Sequence, residues 1–392
     1  MNYPKILIIS SQIPQTIHAG SLLLYRVLEN YPKDNIRSIG PVEPKAEQLS
    51  ETYDPFLLPI RLTTTRFSHL ANTLNTMGIM PDLSVTRIKK LLGDFKPDLV
   101  ITLIEILPYA FAALRYAKSK GLPLMTITMD KPGDFTYIYP WFKKAQFKRM
   151  QEIYKYSTVN LGVSKEMSEY IRATFKADSD AFYFCPPEGL TARNPQKAAA
   201  LRNDSTLTIG YAGSLNLGYG FQIASMVQTF EKAGVRLNIY SINQPTFSSS
   251  AITYKGSFTQ YEVWERIKEE CDAVILPYYF HYGTKETSVY STHFPTKLPE
   301  YLNLGMPVIV IGPVWATGVK WAKAHPDAML SSTKEEGGEL ISIFDKLTTD
   351  ADFRLKYSLN PVKAKEEFSP PVIKKRFLNF IQKAEKNTVC TS

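Results

Sequence analysis

The sequence predicts an α/β protein made of two doubly wound domains, and three observations carry that prediction. Short apolar runs of strand length alternate with longer amphipathic stretches along the chain, the pattern of buried parallel strands separated by crossover helices. The alternation is interrupted once, by the polar stretch 186–205 with its three prolines, and then resumes. At 392 residues the chain exceeds one ordinary domain and suits two.

In order, KILIIS (5–10) reads as a buried strand, followed by a polar loop and the helix SLLLYRVLENYP, with Ser21 as its cap and Pro32 as its stop. Val85, Ile88, Leu91, Leu92 and Phe95 share one helical face, and Pro97 ends that helix before the strand 98–104. A helix over 108–120 is closed by Gly121 in the position after its C-cap. A strand over 123–129, a long helix over 139–156, a strand within STVNLGVS, a helix capped by Ser164 and the segment AFYF (181–184) complete the first series. The second series contains TLTIGYAG, a helix over 220–233, VRLNIYSI, a helix over 261–270, DAVILPYY, a helix carrying Glu300, and PVIVIG. The last amphipathic helix, 371–385, has Ile373, Phe377, Phe380 and Ile381 on one side. The expected domains are 1–188 and 206–368, with a tail, 369–392, packing back on the first.

Composition excludes some classes. Apolar residues make up 44% and charged residues 21%, so two cores can form. The three cysteines, Cys185, Cys271 and Cys390, are dispersed, which argues against a disulfide framework and for a reducing cytosol. The five histidines do not cluster at ligand spacing, so no metal is expected. The longest apolar stretch, 99–114, contains Glu105 and Pro108 and falls short of a span. The net charge of +9 is diffuse. It suits an anionic substrate, an anionic membrane surface or nothing specific, and argues against a dedicated nucleic-acid binder.

The most informative stretch is FPTKLPEYLNLGMPVIVIG, 294–312. Pro295 suits a first helical position, and the free N–H groups of such a helix start can hold a diphosphate. Glu300, one turn beyond Lys297, can accept hydrogen bonds from both hydroxyls of a ribose; the alternative is a solvated surface charge. GYAGSLNLGYG (210–220) opens the second domain, and DAVILPYYF follows later. This order resembles the second domain of GT-B glycosyltransferases, in particular the retaining enzymes of family 4, whose K-L-x-E-Y-L-x-x-G-x-P-V pattern is met by KLPEYLNLGMPV. HAGS (18–21), KPDLVIT and GVSKEM agree more weakly in the first half.

The resemblance implies two Rossmann-like domains facing a cleft, 1–188 for the acceptor and 206–368 for the nucleotide sugar, sugar transfer from a nucleoside-diphosphate sugar with retention, and no obligatory metal or other cofactor. Glu300 would hold the ribose, with Gly20, Gly213, Ser214, Thr292, His293 and Lys297 around the donor. Two positions depart from the family. Thr292 stands where many members have a sugar-contacting glutamate, and Ser214 stands where many have an arginine, with no lysine in the turn. Lys297, Lys285 or the backbone amides of Ser291 to His293 are the candidate replacements. His18, Asp130 and Lys297 are the catalytic candidates; Asp134 and Glu105 are weaker ones. The polar segment 282–293 reads as a long loop lining the sugar pocket, with Thr287 and Ser288 as further contacts. The acceptor is open between a glycan, a lipid-linked and a small molecule. The aromatic and basic stretch 137–156 allows contact with a membrane, and so a peripheral position at its inner face. The rival readings are a sugar-nucleotide epimerase or hydrolase of the same fold, and a non-catalytic relative acting as a scaffold or peripheral membrane protein.

Overall fold

A computed structural model describes residues 3–55, 69–70, 73–74, 83–132, 138–194, 197, 200–201, 206–216, 218–335, 337–359 and 367–386. The chain divides into two compact units, one comprising Met1–Cys185 with Ile373–Ser392, the other Pro186–Val372.

The first unit holds a parallel sheet in the order β3-β2-β1-β4-β5-β6-β7. Its strands are β1 (Ile6–Ile9), β2 (Ile36–Ile39), β3 (Glu51–Tyr53), β4 (Leu99–Leu103), β5 (Leu124–Thr128), β6 (Val159–Gly162) and β7 (Asp180–Ala181). The crossovers include α1 (Ala19–Leu28), α2 (Val85–Leu92), α3 (Leu107–Lys120), α4 (Lys143–Tyr156) and α5 (Lys165–Phe175). β1, β4 and β5 are buried at every residue, as strands covered on both faces must be. Ser164 caps α5 by accepting from the Met167 N–H, and Gly121 ends α3 in the left-handed conformation.

The second unit repeats the plan with six parallel strands, β10-β9-β8-β11-β12-β13. They are β8 (Thr208–Ala212), β9 (Arg236–Tyr240), β10 (Ile252–Gly256), β11 (Ala273–Pro277), β12 (Val308–Ile311) and β13 (Leu330–Ser332). Its helices are α6 (Tyr219–Ser225), α7 (Val227–Lys232), α8 (Gln260–Glu270), α9 (Thr284–Tyr290), α10 (Lys297–Leu302), α11 (Thr317–Ala324), α12 (Gly338–Thr349) and α13 (Ala351–Leu359). The helix expected over 220–233 is two, meeting at Met226. The final helix, α14 (Pro370–Lys386), buries Ile373, Phe377 and Ile381. Phe377 packs on Phe182 at 5.3 Å between ring centroids, and Lys374 pairs with Glu29 at 2.5 Å, both within the first unit.

In each sheet the strand order reverses direction beside its first strand, between β1 and β4 and between β8 and β11. Open parallel sheets bind ligands at such switch points, beyond the carboxyl ends of the strands. The candidate residues gather at these two places.

Candidate functional site

In the second unit, the chain leaves β8 at Gly213, whose φ of 136° favours glycine. Its N–H donates to the Tyr240 carbonyl at the end of β9. A methyl group added at Gly213 would lie 2.0 Å from Cε and 2.2 Å from Nζ of Lys297. The lysine therefore lies directly against the turn, although it comes from α10. Its ammonium lies over the Tyr219 ring at 4.8 Å and the Tyr211 ring at 5.1 Å. Among the described residues no carboxylate comes within 4.0 Å of Lys297 Nζ. Desolvation by its surroundings lowers the Lys297 pKa to about 8, against a smaller opposing effect of Glu300. Ser214 is exposed; its Oγ donates to Asn243 Oδ1 at 3.2 Å, and its carbonyl accepts from Tyr211 Oη at 2.6 Å.

Glu300 is 4% exposed, so it is not a solvated surface charge. Its Oε1 accepts from Gln260 Nε2 at 2.8 Å. Gln260 is held there because Thr259 and Glu262 form a capping box at the start of α8. Tyr301, next in the chain, ties α10 to the end of β8: its Oη accepts from the Ala212 N–H at 2.9 Å, and Trp264 packs edge-on against its ring. Gln260, Tyr301, Tyr211 and Tyr219 were not singled out from the sequence. Their local signals are the capping pattern TQYE for Gln260, the tyrosines of GYAG and GYG, and the tyrosine of the KLPEYL pattern for Tyr301.

The segment expected as one irregular loop over 282–293 contains a helix, α9. Tyr282 and Tyr290 stack across it at 4.4 Å, and the Thr287 hydroxyl donates to the Tyr282 carbonyl, giving this polar sequence an apolar clasp. Thr292 is 6% exposed and its hydroxyl donates to the Val289 carbonyl at 3.0 Å. His293 is half-buried and its carbonyl accepts from the Thr317 hydroxyl. Pro295 does not open the helix: α10 starts at Lys297, and the Pro295 carbonyl accepts from the Leu298 N–H in the preceding turn. α10 has six residues. What it contributes to the site is the side chains of Lys297 and Glu300.

The switch point of the first unit gathers a different set. Glu105, just after β4, accepts from the Ser11 hydroxyl at 3.3 Å. Desolvation raises its pKa, Gln12 and Ser11 oppose that by hydrogen bonding, and the charges of Asp130 and His18 also act on it. Gln12 in turn accepts from the N–H and hydroxyl of Ser21, fixing the start of α1. His18 adopts φ 62° and ψ 147°, a region that costs a non-glycine residue of order 1–3 kcal/mol. Its ring lies 3.6 Å from Glu43. Gly20 is buried, and a side chain there would meet Met129, Leu103 and Gln12 within 3.1 Å. Asp134 and Tyr137 lie outside the described residues, as does the Lys285 side chain. Among the described residues no three His, Cys, Asp or Glu side chains form a group that could hold a metal, and no helix is long and apolar enough to cross a membrane.

The fold is that of the two-domain GT-B glycosyltransferases. No family model and no curated protein matches the sequence. Solved structures match over nearly the whole chain. HepE from Anabaena, in complex with UDP and glucose, aligns with a TM-score of 0.66 at 14% identity over 97% of this chain and 100% of its own. Sucrose-phosphate synthase from Thermosynechococcus elongatus aligns at 0.70 and 11% over 97% and 98%. A glycosyltransferase from Rickettsia africae aligns at 0.63 and 12% over the full length of both chains. At these identities the likeness is one of fold, and the chemistry rests on this chain's own residues.

Proposed function

We propose that the protein is a glycosyltransferase that moves a sugar from a nucleoside-diphosphate sugar to an acceptor hydroxyl, with retention and without an obligatory metal or cofactor. The observation that carries this reading is Lys297, a desolvated cation held against the Gly213 turn, with Glu300 one helical turn further on. A diphosphate offers Lys297 the anion that its surroundings lack. Gly213, Ser214, Thr292 and His293 belong to the turns around the donor, and Glu300 is the acceptor group for the ribose hydroxyls. The Lys297 position also accounts for Ser214: the cation missing from the turn is supplied from α10.

In the reaction, the bond from the anomeric carbon to the diphosphate oxygen breaks and the bond to the acceptor oxygen forms. The leaving diphosphate takes the acceptor's proton, and Lys297 offsets the charge that develops on it. The hydroxyl of the acceptor, from a glycan, a lipid-linked or a small molecule, would be oriented by His18 and Asp130, with Glu105 beside them. HepE, which is known in complex with UDP and with UDP-glucose, makes uridine nucleotides the first donors to try. The dispersed thiols and the need for a nucleotide sugar favour the cytosol.

The test is a thermal-shift panel of nucleoside diphosphates and their sugars on wild type, Lys297→Met and Glu300→Ala. A ligand at a hundred times its Kd stabilises by about 2.7 kcal/mol. One nucleotide class should raise the Tm of the wild type and lose that effect in folded Lys297→Met. No shift at millimolar concentration with any nucleotide would overturn the reading. Nucleotide released from a sugar donor without an acceptor would instead favour an epimerase or hydrolase.

A further inference from the structure

The outer helices of the first unit carry a concentration of positive charge that the donor site does not use. α3 packs between α2 and α4. Where α2 and α3 end, a groove of about 310 Å³ has an apolar floor of Leu92, Phe95 and Tyr116 and a rim of Lys89, Lys96 and Lys120. No carboxylate lines it. The rim lysines are exposed; the Arg37 guanidinium, 5.0 Å from the Phe95 ring centroid, is paired with Glu51 at 2.9 Å. The nearest acids in sequence are Asp94 and Asp98, and the latter accepts from the Lys5 N–H.

The charge continues onto α4. Tyr156, at its last turn, donates to the carbonyl of Leu122, which also lines the groove. From there Lys155, Lys148 and Lys144 run along one exposed face of the helix. Glu152 is the acid on that stretch, and it is engaged by Lys118 of α3. Arg115 of α3 has its pKa lowered by burial and by the neighbouring positive charge of Arg149.

Two features favour a partner for this face outside the chain. Lys143 and Lys144 occupy the first turn of α4, which has no acidic residue. Cations at the positive end of a helix dipole are unfavourable in the isolated protein and become favourable beside an anionic surface. Just before that turn, Trp141 is 73% exposed and stacks on Tyr139 at 4.3 Å, while Phe147 turns towards α5 and stacks on Phe175 at 5.4 Å. A lysine-faced helix entered through an exposed tryptophan has the character of an interfacial anchor.

We infer that the α2–α3–α4 flank of the first unit docks on a bilayer containing anionic phospholipids, with the lysine-rimmed groove and the Lys144–Lys148–Lys155 stripe facing the headgroups and Trp141 entering the interface. Trp141 selects this occupant over a duplex nucleic acid, whose phosphate backbone would use the lysines and leave the indole in water. The inference is independent of the donor-site reading, since no residue of the second unit takes part.

The experiment is co-sedimentation of the full chain with vesicles of phosphatidylcholine alone and of phosphatidylcholine mixed with phosphatidylglycerol, at low and raised salt. Wild type is compared with Lys89→Glu/Lys120→Glu/Lys148→Glu and with Trp141→Ala, each checked for fold by circular dichroism. Each lysine near an anionic leaflet contributes roughly fivefold in affinity, so the triple reversal should weaken binding by on the order of a hundredfold or more. Trp141→Ala should weaken it less, and salt should weaken the wild type. The inference is overturned if the wild type ignores anionic vesicles at low salt, binds neutral vesicles equally, or binds unchanged after charge reversal. It is also overturned if short duplex DNA competes the chain fully off the vesicles and Trp141→Ala has no effect on vesicle binding.

Discussion

The two switch points share a topology and differ in the charge they hold. Beyond β8 and β11 stands a lysine whose positive form is disfavoured by desolvation. Beyond β1 and β4 stands Glu105, whose negative form is disfavoured by the same cause. Each sheet places one ionisable group where its usual charge is least comfortable, at the strand ends where ligands bind in this fold. The signs are opposite, which suits a diphosphate on one side and a hydroxyl to be oriented on the other.

The strongest way to break this comparison is Lys297→Met. Removing one charge-assisted donor from a developing anion costs about 10²–10³ in rate at comparable sites. A loss of that size in transfer, with the melting temperature retained or raised, is expected from steady-state assays with the donor that the thermal-shift panel identifies. A Lys297→Met enzyme within threefold of wild type would remove the lysine from the reaction.

Gly213→Ala attacks the same contact from the turn. It forces a side chain into positive φ and against Lys297, and should cost roughly 1–3 kcal/mol by chemical denaturation as well as donor affinity. Tyr301→Phe removes the hydroxyl that accepts from Ala212. About 1 kcal/mol of stability should go with it, and the nucleotide-induced Tm shift should shrink because α10 is less firmly tied to β8.

A pH series sharpens the contrast. Lys297 is charged below about pH 8, so diphosphate affinity attributable to it should fall as pH rises through that value. The folding contribution runs the other way. The folded pKa lies below the unfolded one, so the penalty of burying the cation is present below about pH 8 and is relieved on going higher. Glu105 has a raised folded pKa, so its charged form opposes folding once the pH exceeds the ordinary carboxylate range. The smallest expected effect is therefore on Glu105→Gln, which at neutral pH should melt at the same temperature as wild type or slightly higher; a clear fall would show that the carboxylate stabilises the fold.

Much of the architecture was legible because buried parallel strands are apolar at every position, as ILII, LVITL and VIVI are. The strands that escaped notice are edge or near-edge ones. β10, ITYKG, is largely solvent-facing, and β13 is three residues long, so neither has a full hydrophobic pattern. α9 was hidden because TKETSVY has no apolar repeat and is closed by two tyrosines outside it or at its end. At the candidate site, Lys297 and Glu300 drew attention through the resemblance of KLPEYLNLGMPV to the family pattern. The contact of Lys297 with Gly213 was not legible, since it depends on how β8 and α10 are brought together by the sheet and by Tyr301. Gln260 was invisible for the same reason: its partner lies in a different element.

The return of α14 to the first unit has a consequence for how the chain is made. Phe182 and Glu29 receive their partners Phe377 and Lys374 only from this last helix. As the chain emerges from the ribosome, the first unit must wait, with an uncovered apolar patch around Phe182, until the whole second unit has been synthesised. The second unit, continuous in sequence from Pro186 to Val372, carries no such debt. During synthesis, then, the half that begins first is the half that finishes last.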